Sequence, residues 1–306
     1  MNDHTFCRQR GSGSLTKSPE FVFEFTKKLY TPSQNGVLLF LQIDNQDMTF
    51  KCSDGTDMVA YLSRPEGQGA RPAIIVIHEA YGLNGQIKGV ARRFAAEGFV
   101  VIAPHLFTRN GEVMTEKNVE SAMKHLWSLP PEKRRNPNAI QELLPKMSET
   151  DRKVMEIFFL GREAMEKQMA SDLIDCKDYL QKQSFVRGDR LGITGFCMGG
   201  GLSYQLSTMH HFVAVPFYGA NPKPLESVAA ISGPVLAFYA GEDEGINAGV
   251  SSLVEAMIKH KKAFQMKLYK GAQHSFFNET RPVYNKEAAD DAWQSAVAFF
   301  RKHLLH

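Results

Sequence analysis

The spacing of apolar positions changes along the chain and divides it into segments. Residues 1–18 show no apolar period and contain the linker-like run Gly11-Ser12-Gly13-Ser14, which predicts a loose leader. Residues 20–45 fit a helix or a strand equally and are taken as a peripheral element. From Met48 to Leu62 two short runs flank Ser53-Asp54-Gly55-Thr56, and Asp-Gly at that place predicts a β-hairpin. Ala73-Ile74-Ile75-Val76-Ile77 is a continuous apolar run, as expected of a strand buried on both faces. Ile87, Val90, Ala91 and Phe94 then recur at helical spacing, with Gly98 as the stop. A second buried strand, Phe99 to Ala103, ends at Pro104, completing a βαβ unit of a parallel sheet.

Residues 108–150 break this rhythm. Pro130, Pro131, Pro137 and Pro145 interrupt short helical pieces that carry Met114, Met123, Trp127, Leu143 and Met147. An insertion of this kind is expected to be a lid over a site or a flap that only packs. One long helix is predicted from about Asp151 to Gln183, with Val154, Phe158, Met165, Met169, Leu173, Cys176 and Leu180 on its apolar face. Alternation then resumes. Strands are expected at Leu191–Thr194, Val213–Phe217, Val235–Tyr239 and Phe264–Tyr269. Helices are expected from about Met198, near Val250–His260, and at the end, where Ala289, Trp293, Ala296, Val297, Phe300 and Leu304 form one stripe. The sum is an α/β chain with a mostly parallel sheet, helices on both faces, and the N-terminal hairpin as its antiparallel edge.

Composition narrows the class. The 306 residues carry 36 basic and 33 acidic side chains, a net charge of +3, too even to point to nucleic acid or an anionic membrane as the main partner. The four cysteines, Cys7, Cys52, Cys176 and Cys197, show neither CxxC spacing nor a zinc-like cluster with histidine. The polar start lacks a signal core, and Val37-Leu38-Leu39-Phe40-Leu41 is too short to span a bilayer. A reduced, cytoplasmic protein acting on a small molecule is the expectation. Nothing in the pattern sets an oligomeric state.

The chemistry concentrates in Gly195-Phe196-Cys197-Met198-Gly199-Gly200-Gly201, which follows a buried strand and opens a helix. That is the setting of a nucleophile elbow with Cys in place of Ser. The turn is sharp enough that side chains at the flanking glycines would meet backbone. The helix N-terminus favours a thiolate and a developing oxyanion. An acid and a base should follow in that order, each just past a strand. Gly241-Glu242-Asp243-Glu244 and Gly271-Ala272-Gln273-His274-Ser275-Phe276 meet that requirement. Asp243 is the preferred acid, with Glu242 and Glu244 as rivals and helix capping as its alternative duty. His274 is the preferred base; its plainer reading is a hydrogen-bonded loop histidine, and that of Cys197 is packing. His210-His211 reads as a helix cap or a surface feature and His78 as structural. The loop His78-Glu79-Ala80-Tyr81-Gly82-Leu83 would supply a second oxyanion donor, so that the Ala80 and Met198 N–H groups converge on the carbonyl oxygen. Glu79 beside a thiol would either keep it as S–H or take its proton; as a plainer alternative it is a loop glutamate.

These residues resemble the dienelactone hydrolase family of α/β-hydrolases. The resemblance rests on residues 78–84, on Ala103-Pro104 with Leu106-Phe107, on the elbow, on Phe217-Tyr218-Gly219, on Gly241-Glu242-Asp243, and on Tyr269 through Phe277. It covers roughly residues 45–304, so that 1–45 stand apart and 46–306 form one α/β-hydrolase domain with its insertion at about 108–150. It implies a catalytic set of Cys197, Asp243 and His274, with Glu79 gating the thiol. It also implies opening of enol-lactones and related esters through an acyl-thioester, with no metal and no organic cofactor. Tyr81, Tyr218 and Arg281 are expected to meet the substrate. The chain departs from the family in places. Asn278 stands where the best-known members carry an arginine for the substrate carboxylate, and Arg281 or Arg109 would have to substitute. His105 stands where Asp is common. Two rival functions remain: a glutaminase-type Cys amidase, against which the absence of H-x-E at His274-Ser275-Phe276 speaks, and a non-catalytic binding protein that keeps the fold.

Overall fold

The computed structural model describes residues 42–306 apart from 131, 132 and 135, so the expectations for the leader and for most of the peripheral element lie outside the described residues. The hairpin forms as expected, with β1 (Ile43–Lys51) paired antiparallel to β2 (Asp57–Pro65) around the Asp54-Gly55 turn. The buried apolar runs become β3 (Arg71–Ile77) and β4 (Val100–Pro104), joined through α1 (Gly85–Ala96). The later alternation gives β5 (Val186–Phe196), α6 (Met198–Ser207), β6 (Val213–Phe217), β7 (Val235–Ala240), the short α7 (Glu244–Asn247), α8 (Val250–Lys259), β8 (Phe264–Tyr269) and α9 (Lys286–Leu304).

All eight strands join one sheet in the order β1-β2-β4-β3-β5-β6-β7-β8. The strands from β4 to β8 in that order pair parallel, and β2, antiparallel to both β1 and β4, is the one strand among the described residues that runs against the rest. The chain leaves β3 toward β4 on one side and returns to β5 on the other. Connections that part in this way open a crevice at the carboxyl ends of the two strands, where open α/β sheets place their sites. Two apolar cores cover the sheet. One holds Ile87, Val90 and Phe94 of α1 with Ala292, Ala296 and Phe300 of α9. The other holds Leu202 and Leu206 of α6, Leu253 and Met257 of α8, and the insertion. Among the described residues no helix is long and apolar enough to cross a membrane.

The insertion carries α2 (Glu116–Trp127) and α3 (Pro137–Leu143). Val119, Ala122 and Met123 of α2 and Ile140 of α3 enter the second core, so the insertion is packed onto the domain through an apolar face.

The single long helix expected from Asp151 to Gln183 is not continuous. α4 (Glu149–Met155) passes into a π-turn at Glu156–Leu160, and α5 (Arg162–Gln181) starts afresh after Gly161. The cause is local. Ile157-Phe158-Phe159-Leu160 is an unbroken apolar run that no single helical face can bury. The π-turn, closed by the Gly161 N–H donating to the Glu156 carbonyl at 2.8 Å, splits it. Phe158 turns inward against Phe107, with ring centroids 5.6 Å apart, while Leu160 is left exposed.

Phe94 ties α1 to α9 through Trp293 at 4.4 Å and Phe300 at 5.5 Å. Phe94→Ala is therefore expected to cost about 3–5 kcal/mol, read as a lower urea midpoint at unchanged slope.

Candidate active site

The turn between β5 and α6 fixes the position of Cys197. Its φ is 56° and ψ −112°, a strained conformation for a residue with a side chain. A Cβ on Gly195 would lie 2.2 Å from the Gly199 carbonyl oxygen, and one on Gly199 would lie 2.5 Å from that of Ile77. Both flanking glycines are thus required by backbone packed against backbone. Among the described residues four non-glycine positions have positive φ, and three of them, Cys197, Tyr218 and Ser275, follow β5, β6 and His274. Strain is concentrated where these loops meet.

His274 comes from the loop after β8 and Asp243 from the loop after β7. The His274 Nδ1 hydrogen-bonds the Asp243 Oδ2, and the Cys197 thiol lies within hydrogen-bonding reach of the same imidazole. Asp243 is buried, and its other oxygen accepts from the Ile246 N–H at 3.3 Å, capping α7. Asp243 thus bonds the imidazole with one oxygen and caps α7 with the other. Its rivals lie apart from the imidazole: Glu242 accepts from the Gly271 N–H at 3.1 Å, and Glu244 is exposed within α7. Burial alone would lower the His274 pKa. The Cys197 charge and the bonds to Asp243 and Cys197 outweigh it and hold the imidazole well above the ordinary histidine range.

The loop after β3 is pinned by His78. Its ring is fully buried; Nδ1 donates to the Glu79 carbonyl at 2.7 Å, and Nε2 accepts from the Leu106 N–H at 3.0 Å. Burial pushes its pKa down to about 3, so it is a neutral strut, the structural role expected of it. The Met198 N–H opens α6, where helix donors lack intrahelical acceptors. Among the described residues neither it nor the Ala80 N–H donates to a backbone carbonyl.

Glu79 is buried and held from both sides. The Tyr218 hydroxyl donates to Oε1 at 3.1 Å and the Asn278 amide to Oε2 at 2.7 Å. The Thr280 N–H and hydroxyl donate to the Asn278 oxygen at 3.0 and 2.7 Å, which fixes the amide with its NH₂ toward Glu79. Asn278 was noted in the sequence only as a replacement; its partnership with Glu79, 199 positions away, had no local signal. Tyr218 is fully buried, with its ring 5.0 Å from that of His274. Tyr81 is half-buried, and the Arg281 guanidinium lies 3.7 Å over its ring. The Trp127 indole N–H, at the end of α2, faces the Tyr81 hydroxyl, so the insertion reaches the site loop.

Arg109 is engaged elsewhere, with Asp172 at 2.7 Å and Asp54 at 2.6 Å. Among the described residues one group has metal-ligand proximity: Cys52, Asp172 and Asp175, with ligand atoms within 4.8 Å. Asp172 is bound to Arg109 and Gln168, Asp175 to Ser53, and burial pushes the Cys52 thiol up to about 12. The cluster is an ion-pair network between the hairpin and α5, distinct from the residues around Cys197.

Comparison with known proteins identifies the family. The family model of the dienelactone hydrolase family matches residues 58–304. A protein of Saccharolobus solfataricus named as a candidate carboxymethylenebutenolidase is 44% identical over 254 residues, covering 83% of this chain and 97% of its own. A Bradyrhizobium protein named as a candidate 2-oxo-3-(5-oxofuran-2-ylidene)propanoate lactonase is 30% identical, covering 82% and 92%. The crystal structure of a candidate dienelactone hydrolase from Klebsiella pneumoniae is similar with a TM-score of 0.65 at 25% identity, covering 85% of this chain and 99% of that one. With the α/β-hydrolase fold, a match across nearly all of the sheet and a relative alike along almost its whole length, the chain belongs to the dienelactone hydrolase family.

Proposed function

We propose that this hydrolase opens a lactone or small carboxylic ester through an acyl-thioester on Cys197, with His274 as base and Asp243 orienting it. The observation that carries the reading is one imidazole bonded to Asp243 through Nδ1 while its other nitrogen is left for the thiol of a strained elbow. The lactonase and butenolidase names of the relatives support the substrate class.

In this mechanism the Cys197 thiolate adds to the carbonyl carbon, and the oxygen gains the negative charge. The Ala80 and Met198 N–H groups hold that oxyanion. Collapse expels the alkoxide or enolate, which takes a proton from the His274 imidazolium. The imidazole, now neutral, removes a proton from water as its oxygen attacks the thioester. Collapse of the second oxyanion releases the acid and restores the thiolate. Esters suit this sequence better than amides, because a thiolate leaves more readily than an unprotonated amine. Glu79 acts as a positioning group, pinning the loop that carries Ala80 through Tyr218 and Asn278. It accepts the thiol proton only in a conformer that releases one of those donors. Within the same proposal residues 46–306 act as one catalytic domain on a small molecule in the cytoplasm.

Cys197→Ala is expected to lower kcat/KM for a small aryl ester roughly ten-thousand-fold, while Cys52→Ala, in the distant network, retains wild-type turnover. Equal turnover in wild type and Cys197→Ala contradicts the mechanism. The His274 titration gives a second check. Burial favours the neutral ring, whereas the thiolate and Asp243 favour the cation. The wild-type ring should stay protonated above the ordinary pKa of about 6.5, and Cys197→Ala should shift its titration to lower pH, as followed by NMR of labelled histidine. An unchanged titration would mean that no thiolate faces the ring.

A further inference from the structure

Arg281 is a basic side chain packed against the loop that carries Glu79 and Ala80. Its guanidinium lies over Tyr81, which follows Ala80 and is close enough to Glu79 and Cys197 for their charges to act on its hydroxyl. A substrate carboxylate would be drawn to such a group. The Arg281 Nη1 already meets a carboxylate from the same chain, that of Glu120 at 3.0 Å. Glu120 lies on α2 of the insertion, within the helix whose last residue, Trp127, faces the Tyr81 hydroxyl. The Arg281 side chain is only 21% exposed, and its Nε is buried without a hydrogen-bond partner among the described residues. The guanidinium is therefore held by a ring below and an acid beside it, with two of its three nitrogens accounted for by burial or pairing.

Apart from His274, whose imidazole is paired with Asp243, the other basic groups named near the site do not offer a replacement cation among the described residues. Arg109 is bound to Asp54 and Asp172. Arg93 is stacked on Trp293 at 3.9 Å, behind the Phe277 ring. Burial lowers the His105 pKa, which leaves its imidazole neutral near pH 7. Asn278 offers Glu79 a neutral amide, so the buried Glu79 charge has only neutral hydrogen-bond donors on its oxygens. Asp243 adds a second buried carboxylate. The His274 cation is paired with Asp243, so a substrate carboxylate would need a freed guanidinium to hold it.

We propose that Glu120 is a specificity-determining residue: by neutralising Arg281 from the insertion, it sets the site to lactones and esters whose acyl part carries no charge. The proposal rests on the hydrolase reading above and adds the substrate's charge class to it. It assigns the insertion a chemical role, that of presenting an internal carboxylate where a substrate carboxylate would otherwise bind.

The test is a pair of aryl esters near neutral pH, a butyrate and the carboxylate-bearing hemisuccinate, compared by the ratio of their kcat/KM values. Wild type should favour the butyrate by about tenfold or more. Glu120→Gln should move the ratio about tenfold toward the hemisuccinate, chiefly through KM, and high salt should shrink that gain. Glu120→Asp, which keeps the charge, should stay near wild type. Adding Arg281→Met to Glu120→Gln should remove the gain. A wild-type preference for the hemisuccinate, or a Glu120→Gln ratio within about twofold of wild type, would overturn the proposal. Failure of wild type to hydrolyse either ester is a different result: it removes the hydrolase reading, and the charge class with it.

Discussion

Backbone packed directly against backbone at the β5–α6 turn is the constraint on which the site depends. Gly195 and Gly199 leave no room for a Cβ, and Cys197 between them takes a conformation that side chains avoid. The flanking β3 carbonyls are part of that packing, so the turn is locked to the loop that carries Glu79 and Ala80. The parallel sheet supplies the rest. Because β3, β5, β7 and β8 all point the same way, the loops after them end at one edge, and residues nearly two hundred positions apart become neighbours.

Electrostatics at that edge is divided between two kinds of carboxylate. Asp243 is bonded to an imidazole that burial disfavours but its interactions with Cys197 and Asp243 favour in the charged form. Glu79 is coupled to neutral donors, the Tyr218 hydroxyl and the Asn278 amide, and its charge is held in place by geometry. The first arrangement suits a group that must gain and lose a proton during turnover. The second suits a group that keeps a loop in place.

Much of this was legible in the sequence because the signals are local. Apolar runs such as Ala73–Ile77 marked buried strands, Asp54-Gly55 marked the hairpin, and Gly195-Phe196-Cys197-Met198-Gly199 marked the elbow. The chain order of Cys197, Asp243 and His274 was readable because each follows a strand that could itself be read. Four features escaped. The break at Gly161 was hidden by a good apolar stripe on either side of Ile157–Leu160, where the run overfills one face. The Asn278–Glu79 bond and the Arg281–Glu120 pair join segments far apart in the chain, and side-chain pairing across a fold leaves no periodic trace. The contact of Trp127 with the site loop was invisible for the same reason, although the insertion itself stood out by its prolines.

The central claim is a covalent one, that the acyl group passes through sulfur at position 197. Intact-mass spectrometry on protein acid-quenched within the first turnover of a slowly hydrolysed ester tests it most directly. The account requires a single added acyl mass, located on the peptide that contains Cys197, that decays as product forms and never appears on Cys197→Ala. Turnover with no such adduct, or an equal adduct on Cys197→Ala, would contradict it.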